Sequence, residues 1–379
     1  MTPIFLCGGL SDRDLVALVL ARAVDPSELE PAHLEDHATA RLDDGDAALR
    51  PAPGRRAEGM LLHRPTEADL ARLAFFAGPG AGLDPVTATT ARGAVPARCY
   101  RRCVDAEAMA ADWDFAAWAG ARKPAALEAA REYMDYCGYM SVEQATALRR
   151  EIGVRALQRV RALASEPVLG GLRTGFGAGD VELLSMDRTY TSFLAVRELK
   201  LRHRRFDGGW TGAMDLTVVV WGDAVSVLPY DPRRDEVLLI EQFRPAPAAR
   251  GDRNPWCIEV VAGRLDKDEA AEEVARREAV EEAGITLGRM ARIGSYYPSA
   301  GVVSENVTSF VGEADLSYAG GNHGLTDEHE DIRTMVLGFD AAMAAVETGA
   351  VNTGIALTSL LWLAAHRERL REAWGGQRG

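Results

Sequence analysis

No run in this sequence approaches the roughly 18 consecutive apolar residues that a membrane-spanning helix needs, so no membrane partner is expected. Cysteine is scarce: Cys7, Cys99, Cys103, Cys137 and Cys257 are five, an odd number, and none forms a Cys-x-x-Cys pair. That excludes a disulfide framework and a structural zinc site, and reads as reduced thiols of a cytoplasmic protein. The seven histidines are scattered with no His-Glu-x-x-His spacing, which leaves each to packing or surface roles. Basic runs are missing too. With a net charge of −13 the chain is a poor match for a nucleic-acid backbone, whose binding needs clustered Lys and Arg. The opening Met1-Thr-Pro-Ile-Phe-Leu6 has neither the basic segment nor the apolar stretch of a signal peptide. Internal repeats and low-complexity tails are absent.

What remains is enough for real cores. The 379 residues are 47% apolar, a length that accommodates two domains. Near residue 170 an Ala-, Leu- and Arg-rich stretch from Val142 to Ala164 gives way to Gly170, Gly171, Gly175, Gly177 and Gly179. We place the border there, with a first domain over 1–150, a helical linker over 151–173 and a second domain over 174–379. In the second, Leu216–Trp221, Ala224–Tyr230 and Glu236–Ile240 read as strands. The turn residues Asp231-Pro-Arg-Arg-Asp235 make the last two a hairpin. Helical patterns over Asp340–Glu347 and Ile355–Glu372 follow. The expected fold class is α+β, a mixed sheet between helices.

The most informative stretch is Gly263 to Ile285, an acidic helix bracketed by glycines. Asp268 is placed to cap its first turn and Gly284 to end it. Glu278 and Glu282 are four apart and so share one helix face, with Glu281 beside them. Like charges so arranged repel, and a hard divalent ion such as Mg²⁺, shared between carboxylates and substrate phosphates, resolves the conflict. Arg277, eight residues from Glu269, is spaced to pair with it or with Glu281. A solvated helix of mixed charge is the competing reading.

The segment fits Gly-x5-Glu-x7-Arg-Glu-U-x-Glu-Glu-x-Gly-U, with U apolar, at Gly263, Glu269, Arg277, Glu278, Glu281, Glu282 and Gly284. Ala279 is small for the first U position. In this it resembles the Nudix hydrolase family. The resemblance implies an α/β/α sandwich that binds Mg²⁺, with Mn²⁺ as a substitute, and cleaves a nucleoside diphosphate linked to another group. It also implies metal ligands at Glu278, Glu282 and Glu281 and at the main-chain carbonyl of Ala262, with Gly263, Glu269, Arg277 and Gly284 structural.

A narrower resemblance covers about Phe176 to Leu363, to the bacterial ADP-ribose pyrophosphatases. It rests on Phe176-Gly-Ala-Gly-Asp-Val-Glu182, Val237-Leu-Leu-Ile-Glu-Gln-Phe-Arg244, Pro255-Trp256 through Glu259-Val-Val-Ala-Gly263, and Gly324-Leu-Thr-Asp-Glu-His-Glu-Asp-Ile332. By this resemblance Arg244 clamps a substrate phosphate, a task its planar fork suits. Glu305, in the loop Ser299-Ala-Gly-Val-Val-Ser-Glu305, lies near substrate or metal, and Glu328 is the catalytic base, with Glu330 a substitute. Phe193, and more weakly Tyr190 or Trp256, could stack on adenine, against core packing as the alternative. The chain departs from the family at Leu216-Thr217, where an arginine is common, and at Trp221, where a charged residue is usual. ADP-ribose would be the small-molecule substrate and a homodimer the assembly. Hydrolysis of another nucleoside diphosphate sugar and a silent ligand-sensing module are the alternatives.

The first domain opens with a strand, Ile4-Phe-Leu6, the loop Cys7-Gly8-Gly9-Leu10 and a helix, and resembles the gamma-glutamylcyclotransferase-like (AIG2-like) α+β barrel. Ala77, in Leu73-Ala-Phe-Phe-Ala77-Gly78, stands where that family has its catalytic glutamate, and Cys7 replaces the loop tyrosine. A methyl group moves no proton, so this domain is expected to be inactive as a cyclotransferase. Proteins joining two such domains resemble a group named for tellurite resistance.

Overall fold

The computed structural model describes residues 1–41, 47–101, 111–165, 172, 174–325 and 330–375. It divides into two compact units, Met1–Val168 and Leu169–Gly379. Among the described residues no helix is long and apolar enough to cross a membrane.

The first unit contains β1 (Ile4–Cys7), α1 (Arg13–Leu20), β2 (Leu29–Arg41), β3 (Ala47–Leu62), α2 (Glu67–Ala77), β4 (Gly82–Thr90), β5 (Gly93–Arg101) and β6 (Ala111–Asp112). Helices α3 (Phe115–Ala121), α4 (Lys123–Asp135), α5 (Val142–Ala147) and α6 (Arg149–Ala164) follow. The strands run in the order β3-β1-β5-β4-β2 and close on themselves through a β2–β3 pairing, so they form a five-stranded barrel with β6 appended to β2. Phe5, Leu34, Leu61, Ala88 and Cys99 share one core cluster. Local chemistry sets the helix starts. Asp12 accepts from the backbone N–H of Asp14 (3.0 Å) and Leu15 (3.2 Å), while Thr66 and Asp69 form a reciprocal capping box. The stretch 149–164 packs along α4 and buries Ile152, Val154 and Ala156, so it contributes to this unit's core. There the Arg155 guanidinium donates to Glu132 at 2.7 Å.

The second unit begins with a three-stranded sheet of β7 (Val181–Thr191), β8 (Ala195–His203) and β9 (Met214–Val220). Next come β10 (Ala224–Asp231), β11 (Glu236–Phe243), α7 (Pro245–Arg250), β12 (Trp256–Glu259), β13 (Val261–Arg264) and α8 (Ala271–Ala283). The chain continues through β14 (Met290–Tyr296), β15 (Val307–Glu313), β16 (Gly321–His323), β17 (Ile332–Gly338), α9 (Phe339–Glu347) and α10 (Gly354–Trp374). A mixed sheet ordered β14-β15-β10-β11-β17-β16 lies between α8 and the pair α9 and α10. Every residue of β10 is buried, as expected of a strand covered on both faces. Val225 and Val227 enter the α8-side core, and Leu228 and Tyr230 the α10-side core.

The expected β10–β11 hairpin is only its closed end. The two strands pair at Tyr230↔Val237 and Asp231↔Glu236 and then diverge. Into the gap come β13, pairing with β10 from Ala224↔Arg264 to Val227↔Val261, and β12, pairing with β11 from Ile240↔Glu259 to Phe243↔Trp256. This insertion brings the Gly263 loop to the middle of the sheet.

The hairpin turn is held from two sides. Asp231 accepts from the N–H of Arg233 (3.0 Å), Arg234 (3.1 Å) and, across the unit, Leu316 (3.3 Å). Asp235 sits at φ 60°, where an aspartate is tolerated better than most residues. It accepts from Tyr230 Oη (2.8 Å) and Arg367 Nε (2.8 Å), which pins the turn to α10. The Arg367 guanidinium leaves the Asp235 carboxyl below its ordinary range, with burial opposing and the Tyr230 hydroxyl adding to the effect. A carboxyl lowered by folding stabilises the fold above its unfolded pKa, about 3.9, and loses that contribution as pH falls through the lower folded value. We expect Asp235→Ala to lower stability by about 2 kcal/mol and Asp235→Asn by less, since Asn keeps the Tyr230 bond and accepts the left-handed backbone. Urea unfolding at pH 7 and at pH 3 checks both, and the gap between wild type and Asp235→Asn should narrow at the lower pH.

Candidate functional site

The acidic segment forms the expected helix, with one correction. Helix α8 starts at Ala271, so Asp268 lies before it and does not cap it; the Glu273 carboxylate instead accepts from the N–H of Ala270 at 3.2 Å. Its C-terminus is as read, with Gly284 at φ 64° in the left-handed region. The inner face is apolar and small, burying Val274, Ala275, Ala279 and Ala283, and this draws Glu282 inward with them until it is 3% exposed. Its Oε2 accepts from the Ala262 N–H of β13 at 3.0 Å. Glu278 lies one turn back, so close against Gly263 that any side chain there would collide with its carboxylate. The absence of a side chain at 263 is therefore what gives that carboxylate its place.

Arg277 organises the outer carboxylates. It donates to Glu281 at 2.8 Å, pairs with Glu278 at 2.9 Å and reaches Glu269 at 4.0 Å. Burial pushes the Glu278 carboxyl up to about 7, with Arg277 opposing and the charges of Glu281 and Glu330 adding. Burial likewise pushes Glu282 up to about 8, opposed by the Ala262 N–H, with Glu278 and Glu330 adding. Carboxyls in this condition either hold a proton or face a cation.

Beside this helix, a cavity of about 490 Å³ is bordered by Trp221, Arg244, Glu259, Val303 and Glu305 among others. That volume falls in the usual range for small-molecule sites. Arg244 leaves the end of β11 and gives its Nε to Glu259 at 2.7 Å; among the described residues its terminal nitrogens make no hydrogen bond. Burial raises the Glu305 carboxyl, with Asp223 adding to this and Arg244 opposing. Arg244 acts electrostatically on Glu282 as well. Phe193 meets Trp221 edge to face, centroids 4.6 Å apart, and the Arg264 guanidinium lies over both rings at 4.7 and 5.1 Å.

Ala262 thus meets Glu282 and Gly263 meets Glu278, with Glu281 and Glu269 gathered around Glu278 by Arg277. Arg244 and Glu305 share the cavity, and Phe193 reaches its edge through Trp221. Trp256 instead packs on Phe243, and Tyr190 is 55% exposed on β7. Glu328 lies outside the described residues, as do Asp327 and His329. Its described neighbour Glu330 accepts from the Leu325 N–H at 3.1 Å and is close enough to influence both Glu278 and Glu282. Among the described residues no three His, Cys, Asp or Glu side chains form a metal cage. A shared site of the Mg²⁺ type needs no such cage, because substrate and water supply the remaining oxygens. Sequence reasoning missed Glu259, Asp223 and Arg264. The first stands inside a quoted landmark, but its pairing with Arg244 crosses strands and leaves no local pattern.

The first unit has its own small cavity, about 60 Å³, bordered by Cys7, Gly9, Leu73, Ala77, Cys99 and Tyr100 among others. Among the described residues no carboxylate lines it.

The NUDIX domain matches residues 220–349. The ADP-ribose pyrophosphatase of Escherichia coli strain K12 is 40% identical over 199 residues, 52% of this chain and 95% of that protein. That of Haemophilus influenzae is 35% identical over 201 residues, 52% of this chain and 93% of that protein. A GDP-mannose pyrophosphatase of Enterobacter sp. is 36% identical over 143 residues, 38% of this chain and 73% of that protein. With its glycine-bracketed carboxylate helix set in a split sheet, the chain belongs to the Nudix family.

Proposed function

We propose that the second unit hydrolyses the diphosphate of a nucleoside diphosphate sugar, with ADP-ribose as substrate and AMP and ribose 5-phosphate as products. The observation that carries this reading is the pair of Glu282, buried, and Glu278, half-buried, against the Ala262–Gly263 backbone, with a cavity in the same unit that offers one arginine fork. A buried Glu282 with one backbone donor, and a half-buried Glu278 one turn away, suit a divalent cation held between them. Glu278, Glu282 and the Ala262 carbonyl would hold Mg²⁺, or Mn²⁺, with Glu281 as a further ligand. When bound, the ion would neutralise diphosphate charge and acidify a water. Arg244, steadied by Glu259, clamps a phosphate through its terminal nitrogens. Glu328 takes the proton that the attacking water loses as its oxygen bonds to phosphorus and the bridging P–O bond breaks. The likeness to a GDP-mannose pyrophosphatase supports a second reading, the same hydrolysis on another nucleoside diphosphate sugar.

A homodimer is part of the proposal. Register places Leu183, Met186, Leu199, Leu201, Met214 and Leu216 on one face of the three-stranded sheet, and Leu183 and Leu216 are 54% and 43% exposed. A contiguous apolar face of this kind marks an interaction surface. The first unit we read as without cyclotransferase activity, since Ala77 stands where the catalytic acid is expected and no described residue lining its cavity is an acid.

Incubation of the protein and Mg²⁺ with ADP-ribose, ADP-glucose, UDP-glucose and GDP-mannose should release products fastest from ADP-ribose; a faster competitor transfers the proposal to that substrate, and no cleavage of any of them sinks it. Glu282→Gln should lose at least about 100-fold in turnover while unfolding like wild type. Gly263→Ala should also fold, since the intruding methyl meets the movable end of Glu278, yet bind Mn²⁺ at least tenfold more weakly by paramagnetic titration. Light scattering should give twice the chain mass of 40.9 kDa, falling to the monomer in Leu199→Asp. No 5-oxoproline should form from gamma-glutamyl dipeptides.

A further inference from the structure

We propose that Trp221 is a specificity-determining residue, the flat surface on which the base of the nucleotide packs. This rests on the hydrolase reading above and goes beyond it by assigning the residue that selects nucleotides over other diphosphates. Besides Cys257 and Thr353, the lining of the second unit's cavity consists of a charged and an apolar group. Arg244, Glu259 and Glu305 are charged and linked to one another, Arg244 by a 2.7 Å bond to Glu259 and by its charge to Glu305. Trp221, Val219, Val303, Pro245 and Pro247 present no side-chain group that could read sugar hydroxyls or hold phosphate, apart from the indole N–H. Within the charged group Arg244 suits a phosphate through its terminal nitrogens, and the apolar group suits a flat aromatic ring.

Trp221 is also held in place before any ligand arrives. Phe193 packs on it at 90° with centroids 4.6 Å apart, and Arg264 lies over it at 5.1 Å. Its backbone N–H donates to Ser304 Oγ at 3.4 Å. Two residues earlier, Val219 bonds the same loop from both sides, donating to the Val302 carbonyl at 2.8 Å and accepting from Ser304 N–H at 3.0 Å. The loop that presents Glu305 and the strand end that presents Trp221 are thereby one piece. A rigid indole loses little freedom when it takes up a ring, and a stack of this kind is expected to contribute about tenfold or more in affinity without reading the base's edges.

Calorimetric titration with Mg²⁺ present, using AMP and ribose 5-phosphate as separate probes, tests this on wild type, Trp221→Phe and Trp221→Leu. Phe keeps a flat face, whereas Leu keeps apolar volume without one. We expect AMP to bind Trp221→Leu at least tenfold more weakly and Trp221→Phe within about threefold of wild type, with ribose 5-phosphate unchanged throughout. In turnover, Trp221→Leu should raise KM for ADP-ribose and leave kcat within about threefold. Equal AMP affinity in wild type and Trp221→Leu overturns the assignment, and leaves the hydrolase reading standing if wild type cleaves ADP-ribose. Equal losses for AMP and ribose 5-phosphate also overturn it, since they report a deformed pocket. Selective loss of AMP in a protein that cleaves no nucleoside diphosphate sugar supports the base contact and removes the hydrolase reading.

Discussion

The second unit is arranged around the burial of two carboxylates. Glu282 is almost wholly inside and has one backbone N–H for company, while Glu278 lies against a glycine that has no side chain to push it away. Removing such a charge from water costs several kcal/mol, and a partly exposed ion pair such as Arg277–Glu281 contributes only about 1 kcal/mol or less. Arg277 therefore cannot balance the account. It can set the positions of Glu269, Glu278 and Glu281, and that is the role its contacts describe. The balance is left to a proton in the free protein or, in the function proposed here, to a cation that also meets the substrate.

That burial is possible because the sheet is split. Had β10 and β11 stayed paired along their length, no backbone would stand beside α8 to receive Glu282. They separate after two pairs, and β12 and β13 enter as a wedge, with Glu259 on one side and Ala262–Gly263 on the other. One insertion thus places the partner of Arg244 and the cradle of the helix carboxylates within a few residues of each other. The turn that closes the split strands is fastened by Asp231 and Asp235, so the narrow end is rigid where the wide end is occupied.

Much of this was legible because it is local. The spacing of Glu278, Glu281 and Glu282, the Gly284 terminus and the strand periods of β10 and β11 are properties of short windows, and each is found where those windows place it. The helix start was misread because Asp268 is a good cap in isolation, while the chain after the strand end at Arg264 bends at 267–268 and enters the helix only at Ala271. Cross-strand partners were not legible at all. Glu259 reaches Arg244 through β11–β12 register, and Phe193 reaches Trp221 from the three-stranded sheet, 28 residues away in sequence. Trp221 was noticed only as a departure from a family pattern; its place on the cavity wall follows from the pairing of Val219 with the 302–304 loop.

Arg244 shows why residue type and register have to agree. A lysine at that position would have to choose between Glu259 and a phosphate, because its ammonium is a single point of charge. The guanidinium is planar and divides its donors: Nε is held by Glu259 from β12, and the terminal pair remains in the plane so fixed. The plane is set by the strand register that puts Glu259 opposite Ile240, four residues before Arg244 on the same strand end. A one-residue slip of β12 would turn Glu259 to the other face of the sheet and leave the arginine unsteadied. Since β12 runs directly into β13, the same slip would remove the Ala262 N–H from Glu282. The phosphate clamp and the carboxylate cradle therefore depend on a single register.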